Sequence, residues 1–181
     1  MNTNIPNPNQ PKKPDISVRK NVRAAGAVIL AKNTGRLLFC FRKSASRERL
    51  AEWNLWGAFV ALDESPEDSV VKWTKKLSGY NGHFSEIIPL YSFFTSDTNF
   101  RYYNFLLVVE KEFPLVVDKT RITDYKWVNI DELPSPLHPL VKELFGKVGD
   151  KIRAMIEKNV LRESLSENII KLKDLIKELL Q

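Results

Sequence analysis

The stretch "WGAFVALDESPEDSVVKWTKKLSGY", residues 56–80, carries the reading on which the fold turns. Ser65 suits a helix N-cap, and Pro66 suits the first helical position, where its missing N–H leaves nothing unsatisfied. Asp68 stands at the reciprocal position of a capping box, and Gly79 suits the left-handed position just past the C-terminus. These marks predict a helix over about residues 66–78. Ahead of it, Gly57 inside the apolar run "NLWGAFVAL" marks a tight bend or a close approach of backbone in a strand.

Working outward, "RAAGAVILA" and "RLLFCFR" are β-rich, and "KNTG" between them suits a hairpin turn, which predicts two antiparallel strands. Downstream, "FSEIIPLYSFFTS", "RYYNFLLVVEKEF" and "DYKWVNIDEL" read as strands, with "TSDTN" as the turn between the first two. Pro89 marks an edge strand or a bulge. "LPSPLHP" breaks the pattern, and "LVKELFGKVGDKIRAMIEKN" resumes it at helical spacing. The last segment, "SLSENIIKLKDLIKELLQ", opens with Ser164 and Glu167 at capping-box spacing, which predicts a new helix start. Leu165, Ile169, Leu172, Ile176 and Leu179 then recur at alternating intervals of four and three along one stripe. Two readings of that stripe stand side by side: packing on its own domain, or self-association or docking to a protein partner through residues 164–181. About five or six strands, a central helix and terminal helices make a mixed α+β sandwich. The expected organisation is a disordered leader over residues 1–20, one domain over residues 21–147 and a C-terminal helical extension over residues 148–181.

Composition narrows the function classes. A chain of 181 residues, 43% hydrophobic and 28% charged, fits one globular domain, and no run is long and apolar enough to span a bilayer. The Asn- and Pro-rich start lacks the apolar core of a secretory signal, so a cytoplasmic location is expected. Cys40 is the only cysteine, which rules out an intrachain disulfide and a cysteine-based metal site; its place in "LLFCF" suits a buried, inert thiol. The net charge of +6 favours anionic ligands without calling for nucleic acid or a membrane surface. Arg42 and Lys43 stand at a strand end, where they are either solvated or placed to meet a ligand phosphate.

The order of the strands, the helix placement and "WNLWGAFVALDESPEDSVVKWTKKLSGY" resemble the Nudix family over roughly residues 22–145. "YYNFLLVVEKEF" and "YKWVNIDELPSPLH" look like the corresponding segments of small Nudix proteins, phage-encoded ones among them. The resemblance implies an α/β/α sandwich with a mixed central sheet. It also implies hydrolysis of a nucleoside-linked diphosphate by magnesium or manganese held on the glutamates of the signature helix. Laid on this chain without a gap, the signature starts at Ala58, passes through Glu64 and ends at Gly79 and Tyr80. The positions of the helix glutamates carry Trp73, Lys76 and Leu77, and that of the arginine carries Lys72, so Glu64 alone survives of the motif's acids.

Magnesium wants near-octahedral oxygen coordination, and a helix supplies it with carboxylates at i, i+3 and i+4. An indole, an ammonium and an isobutyl group offer no anionic oxygen, so no metal and no cofactor are expected there, and no catalytic role falls to these positions. Losing several kcal/mol of metal assistance costs on the order of a thousandfold in rate. Asp63, Glu64, Glu67 and Asp68 are the candidates for a relocated magnesium site, although Glu67 and Asp68 already complement the helix dipole.

Lys72, Lys75 and Lys76 stand at i, i+3 and i+4, where ammoniums would neutralise a bound phosphate, with Lys75 turned to solvent. Arg42, Gly57, Lys72 and Lys76 are therefore the expected ligand contacts, with Trp56 and Tyr103 as pocket walls. His83 and His138 have no metal or dyad spacing. Three functions follow: a Nudix-like protein that holds a nucleotide or other phosphorylated small molecule without cutting it; an interaction module whose pocket is closed by Trp73 and Leu77; and a hydrolase with relocated ligands. The residues favour the first two jointly over the third.

Overall fold

The computed structural model describes residues 22–42, 51–96 and 99–179; the leader expected over residues 1–20, Lys43 and part of the "TSDTN" turn lie outside them. The elements run β1 (Arg23–Ala31), β2 (Leu37–Arg42), β3 (Glu52–Asn54), β4 (Trp56–Phe59), α1 (Pro66–Ser78), β5 (Glu86–Thr95), β6 (Phe100–Val109), β7 (Ile122–Val128) and α2 (Pro139–Leu179). Strand β1 is the centre of a mixed sheet: it pairs parallel with β6 and antiparallel with β2 and β4. β5 closes one side on β6, while β3 and β7 both pair with β2.

Side-chain alternation divides the core into two layers. Ala25, Ala27 and Ile29 of β1, with Leu38, Phe105 and Leu107, face Val70 and Leu77 of α1. Val28 and Leu30, with Phe39, Leu106 and Val108, face Val141, Leu144 and Ile152 of α2. Because β1 is covered on both faces, it reads as an unbroken apolar run rather than an alternating one. The result is the expected α/β/α sandwich around a mixed sheet.

Local chemistry sets α1 as the sequence predicts. Ser65 Oγ accepts from the Asp68 N–H at 3.0 Å and donates to Asp68 Oδ2 at 2.7 Å, and Gly79 takes φ 72° with its N–H on the Lys75 carbonyl. The run "NLWGAFVAL" divides: β3 turns to β2 and β4 to β1. A Cβ on Gly57 would lie 2.0 Å from the Ala25 carbonyl oxygen, so only glycine lets these strands approach. Pro89 lies on the edge strand β5 beside a register shift, satisfying both meanings of that residue.

The two helical segments expected at the C-terminus are one continuous helix of 41 residues. Ser164 and Glu167 sit in its interior, because no proline interrupts the chain after Pro139 and a capping pair acts only where the backbone enters a helix. Within residues 148–181, Ile152 is still fully buried and Ile156 packs beside Gly35 of the β1–β2 turn. Past Val160 every large apolar side chain described is exposed, so the distal stripe does not pack on its own domain. Among the described residues no helix is long and apolar enough to cross a membrane.

Candidate functional site

A cleft of about 900 Å³ opens at the end of the sheet where β1 and β6 begin, β2 ends and α2 starts. Arg42 reaches it across a register shift between Phe41 and Arg42, and its Nη2 donates to the Gly57 carbonyl at 2.7 Å. The Nε of Arg42 is buried without a hydrogen-bond partner. Phe100 and Tyr102, two apart on β6 and so on one face, stack with centroids 6.3 Å apart and line the wall together with the exposed Phe59. Arg121 and Thr120 complete the side toward α1, and His138 with Leu140 the side toward α2. None of the lining residues described is acidic, so the cleft presents two guanidiniums and aromatic faces.

Burial pushes the Tyr102 hydroxyl up to about 12, and the Cys40 thiol, fully enclosed behind it, up to about 11. Both groups are therefore neutral near neutral pH, and of the two only Tyr102 lines the cleft. Cys40 is no nucleophile in this state: its Sγ contacts the carbonyls of Asn54 and Leu55 at 3.4 and 3.3 Å.

Beside the cleft lies the outer face of α1. Lys72 Nζ is 2.5 Å from Glu64 Oε1, and the hydrogen bond from Lys72 holds the Glu64 carboxyl below its usual value, while Glu64 Oε2 is buried without a hydrogen-bond partner. The Trp73 ring lies under three cations, with Lys76 at 4.8 Å, Arg121 at 5.8 Å and Lys72 at 5.9 Å from its centroid. Arg121 thus belongs to both places, touching Trp73 and lining the cleft. Behind it, Arg23 Nη2 donates to the carbonyls of Ala61, Leu62 and Glu64.

These residues do not fit a divalent metal. The surviving carboxylate is bonded to an ammonium, the nearby carbonyls converge on a guanidinium, and the rest of the face is an indole among cations. Among the described residues no group of three or more His, Cys, Asp or Glu side chains is placed to hold an ion.

No protein-family model and no curated protein matches the sequence. Solved structures do. The MutT NUDIX hydrolase from Burkholderia pseudomallei is 22% identical, superposes with a TM-score of 0.60 and covers 71% of this chain and 98% of its own. The MutT protein from Methanosarcina mazei Go1 is 18% identical, with a TM-score of 0.59, 74% of this chain and 96% of its own. The NUDIX domain of Shewanella oneidensis NrtR, complexed with ADP ribose, is 16% identical, with a TM-score of 0.59, 78% of this chain and 94% of its own. This chain has the Nudix fold.

On the Nudix scaffold the residues singled out from the sequence fall into three places. Arg42 and Gly57 meet in the cleft. Glu64, Lys72, Trp73 and Lys76 meet on the outer face of α1, beside the cleft rather than lining it. Trp56, Leu77 and Tyr103 belong to the core on the α1 side. Trp56 is fully buried, its indole N–H donating to the Leu38 carbonyl at 3.0 Å, so it is no pocket wall. Tyr103 points to the opposite face from Tyr102, and it is Tyr102 that lines the cleft; one residue along a strand reverses the face. The sequence reading missed Arg121, which reaches the site from the loop before β7. His138, singled out from the sequence because "PLHP" resembles the family's loop near the substrate, does line the cleft, and its Nδ1 accepts the Leu140 N–H at 3.3 Å as α2 begins. Pro139 at the first position of α2 is the signal that would have placed His138 at a helix entry.

Proposed function

We propose that this Nudix-fold protein holds a nucleotide or a related diphosphate-bearing molecule in the cleft and does not cleave it by metal-assisted chemistry. The observation that carries this reading is Lys72 on Glu64: the one acid left in the signature is already neutralised from within the chain. Arg42 and Arg121 are suited to the phosphates, since planar guanidiniums pair with two oxygens at once. Phe100 and Phe59 offer faces on which a base can stack. The phosphate role expected of Lys72 and Lys76 passes to these arginines, because both ammoniums are engaged with Glu64 and Trp73. The ADP ribose bound by the NrtR domain supports the ligand class.

Isothermal titration with ADP ribose, in magnesium and in EDTA, tests the reading. Binding of equal strength in both, weakened about tenfold or more by Arg42→Ala or Arg121→Ala, is expected; a bond to a charged group contributes roughly 1.5–3 kcal/mol. Magnesium-dependent release of a monophosphate, abolished by Glu64→Ala, would establish hydrolysis with relocated ligands and overturn it.

A further inference from the structure

The distal part of α2 stands away from the domain without a packing partner among the described residues. Its packing on the sheet ends near Val160, and residues 161–179 continue for about 28 Å at 1.5 Å per residue. An isolated helix of this length is marginal in water, so it needs a surface to lie against. Its own domain cannot be that surface. With about 100° of turn per residue, the stripe from Leu165 to Leu179 is rotated roughly 110° from the face through which Val141, Leu144 and Ile152 grip the sheet. The five stripe residues are accordingly between 47% and 78% exposed.

We propose that this stripe is the seam of a parallel two-stranded coiled coil with a second copy of the same chain. The side chains specify the occupant. In heptad terms the seam has Ile169 and Ile176 at a and Leu165, Leu172 and Leu179 at d. β-branched residues at a with leucine at d are the combination that favours two parallel strands over three or four. Charge favours the parallel direction in the register that keeps Leu172 central. An antiparallel pair centred on Leu172 would set Lys173, at e, beside the same lysine of the other copy, whereas parallel pairing sets it beside Asn168, at g. Leu175, also exposed, borders the seam at g and widens the apolar contact. The surface is independent of the cleft, so it holds whatever the ligand.

Sedimentation equilibrium of the full chain across the micromolar range is expected to give twice the chain mass. Ile169→Lys with Leu172→Lys should return it to one chain while the domain's thermal unfolding and circular dichroism persist. Leu165→Cys should form a disulfide between copies on mild oxidation, because parallel pairing sets the two sulfurs across the seam. Exchanging the seam residues, with Leu at 169 and 176 and Ile at 165, 172 and 179, should raise the mass to three or four chains. A monomeric wild type, a dimer that survives the double lysine variant, or a mass unmoved by the exchange would each overturn the proposal. Absence of the Leu165→Cys disulfide from a proven dimer would overturn its parallel direction.

Discussion

Lys72 Nζ lies 2.5 Å from Glu64 Oε1, so the acid retained before α1 is paired with a base about two turns into that helix. This lowers the folded-state pKa of Glu64. The pair's contribution to stability is present above the ordinary glutamate value and fades as pH falls through the lowered one. Carbon-detected titration of the Glu64 carboxyl should find it below the usual range, and Lys72→Met should move it upward. The unfolding midpoints of the two proteins should converge at acid pH. A Glu64 titration unchanged by Lys72→Met would contradict the pairing.

A ligand that binds only the folded state raises the unfolding temperature, by an amount that grows with the logarithm of its concentration above Kd. With Arg23 on the carbonyls and Lys72 on the carboxylate, millimolar magnesium or manganese is expected to leave the thermal midpoint where EDTA leaves it. Scanning fluorimetry checks this, and manganese spin resonance checks it without reference to stability.

Leu77 is 2% exposed and packed among Val70, Ala27 and Leu107, although its place in the signature is one where the resemblance expects a glutamate. Leu77→Ala should cost about 2–5 kcal/mol in urea unfolding. Leu77→Glu should cost more, since a carboxylate there has no counter-charge. Putting the signature's acid back would therefore unsettle the domain before it created a metal ligand. Near-wild-type stability of Leu77→Glu would show that the side chain swings outward.

On the alkaline side the buried thiol decides the sign. Cys40 is held from its ordinary 9.0 up to about 11, so the unfolded chain ionises first. Stability is intact below pH 9.0 and declines as pH rises toward about 11, by roughly 2–3 kcal/mol at about 1.4 kcal/mol per unit. Tyr102, raised to about 12, extends the same trend. Urea midpoints measured from neutral to alkaline pH should fall, and Cys40→Ala should make the slope shallower.

Which features the sequence makes legible follows from how far apart their causes lie. Helix α1 is readable because Ser65, Pro66, Asp68 and Gly79 act on backbone atoms within a turn of themselves. Strand β1 is readable because both its faces are buried. The choice between Tyr102 and Tyr103 is not, because it depends on the register of β6 against β1, a pairing that spans most of the domain. Arg121 is invisible for the same reason: nothing near it in sequence says that it will lie over Trp73. Ser164 misleads in the opposite way, since its local capping signal is overridden by a helix already under way.

The three carbonyl oxygens gathered on Arg23 have a mechanical consequence. They rivet the approach to α1 onto the first residue of the central strand, whose neighbours on either side floor the cleft. A push delivered to that approach is therefore handed to the strand that pairs with three others, and does not dissipate in a loose bend.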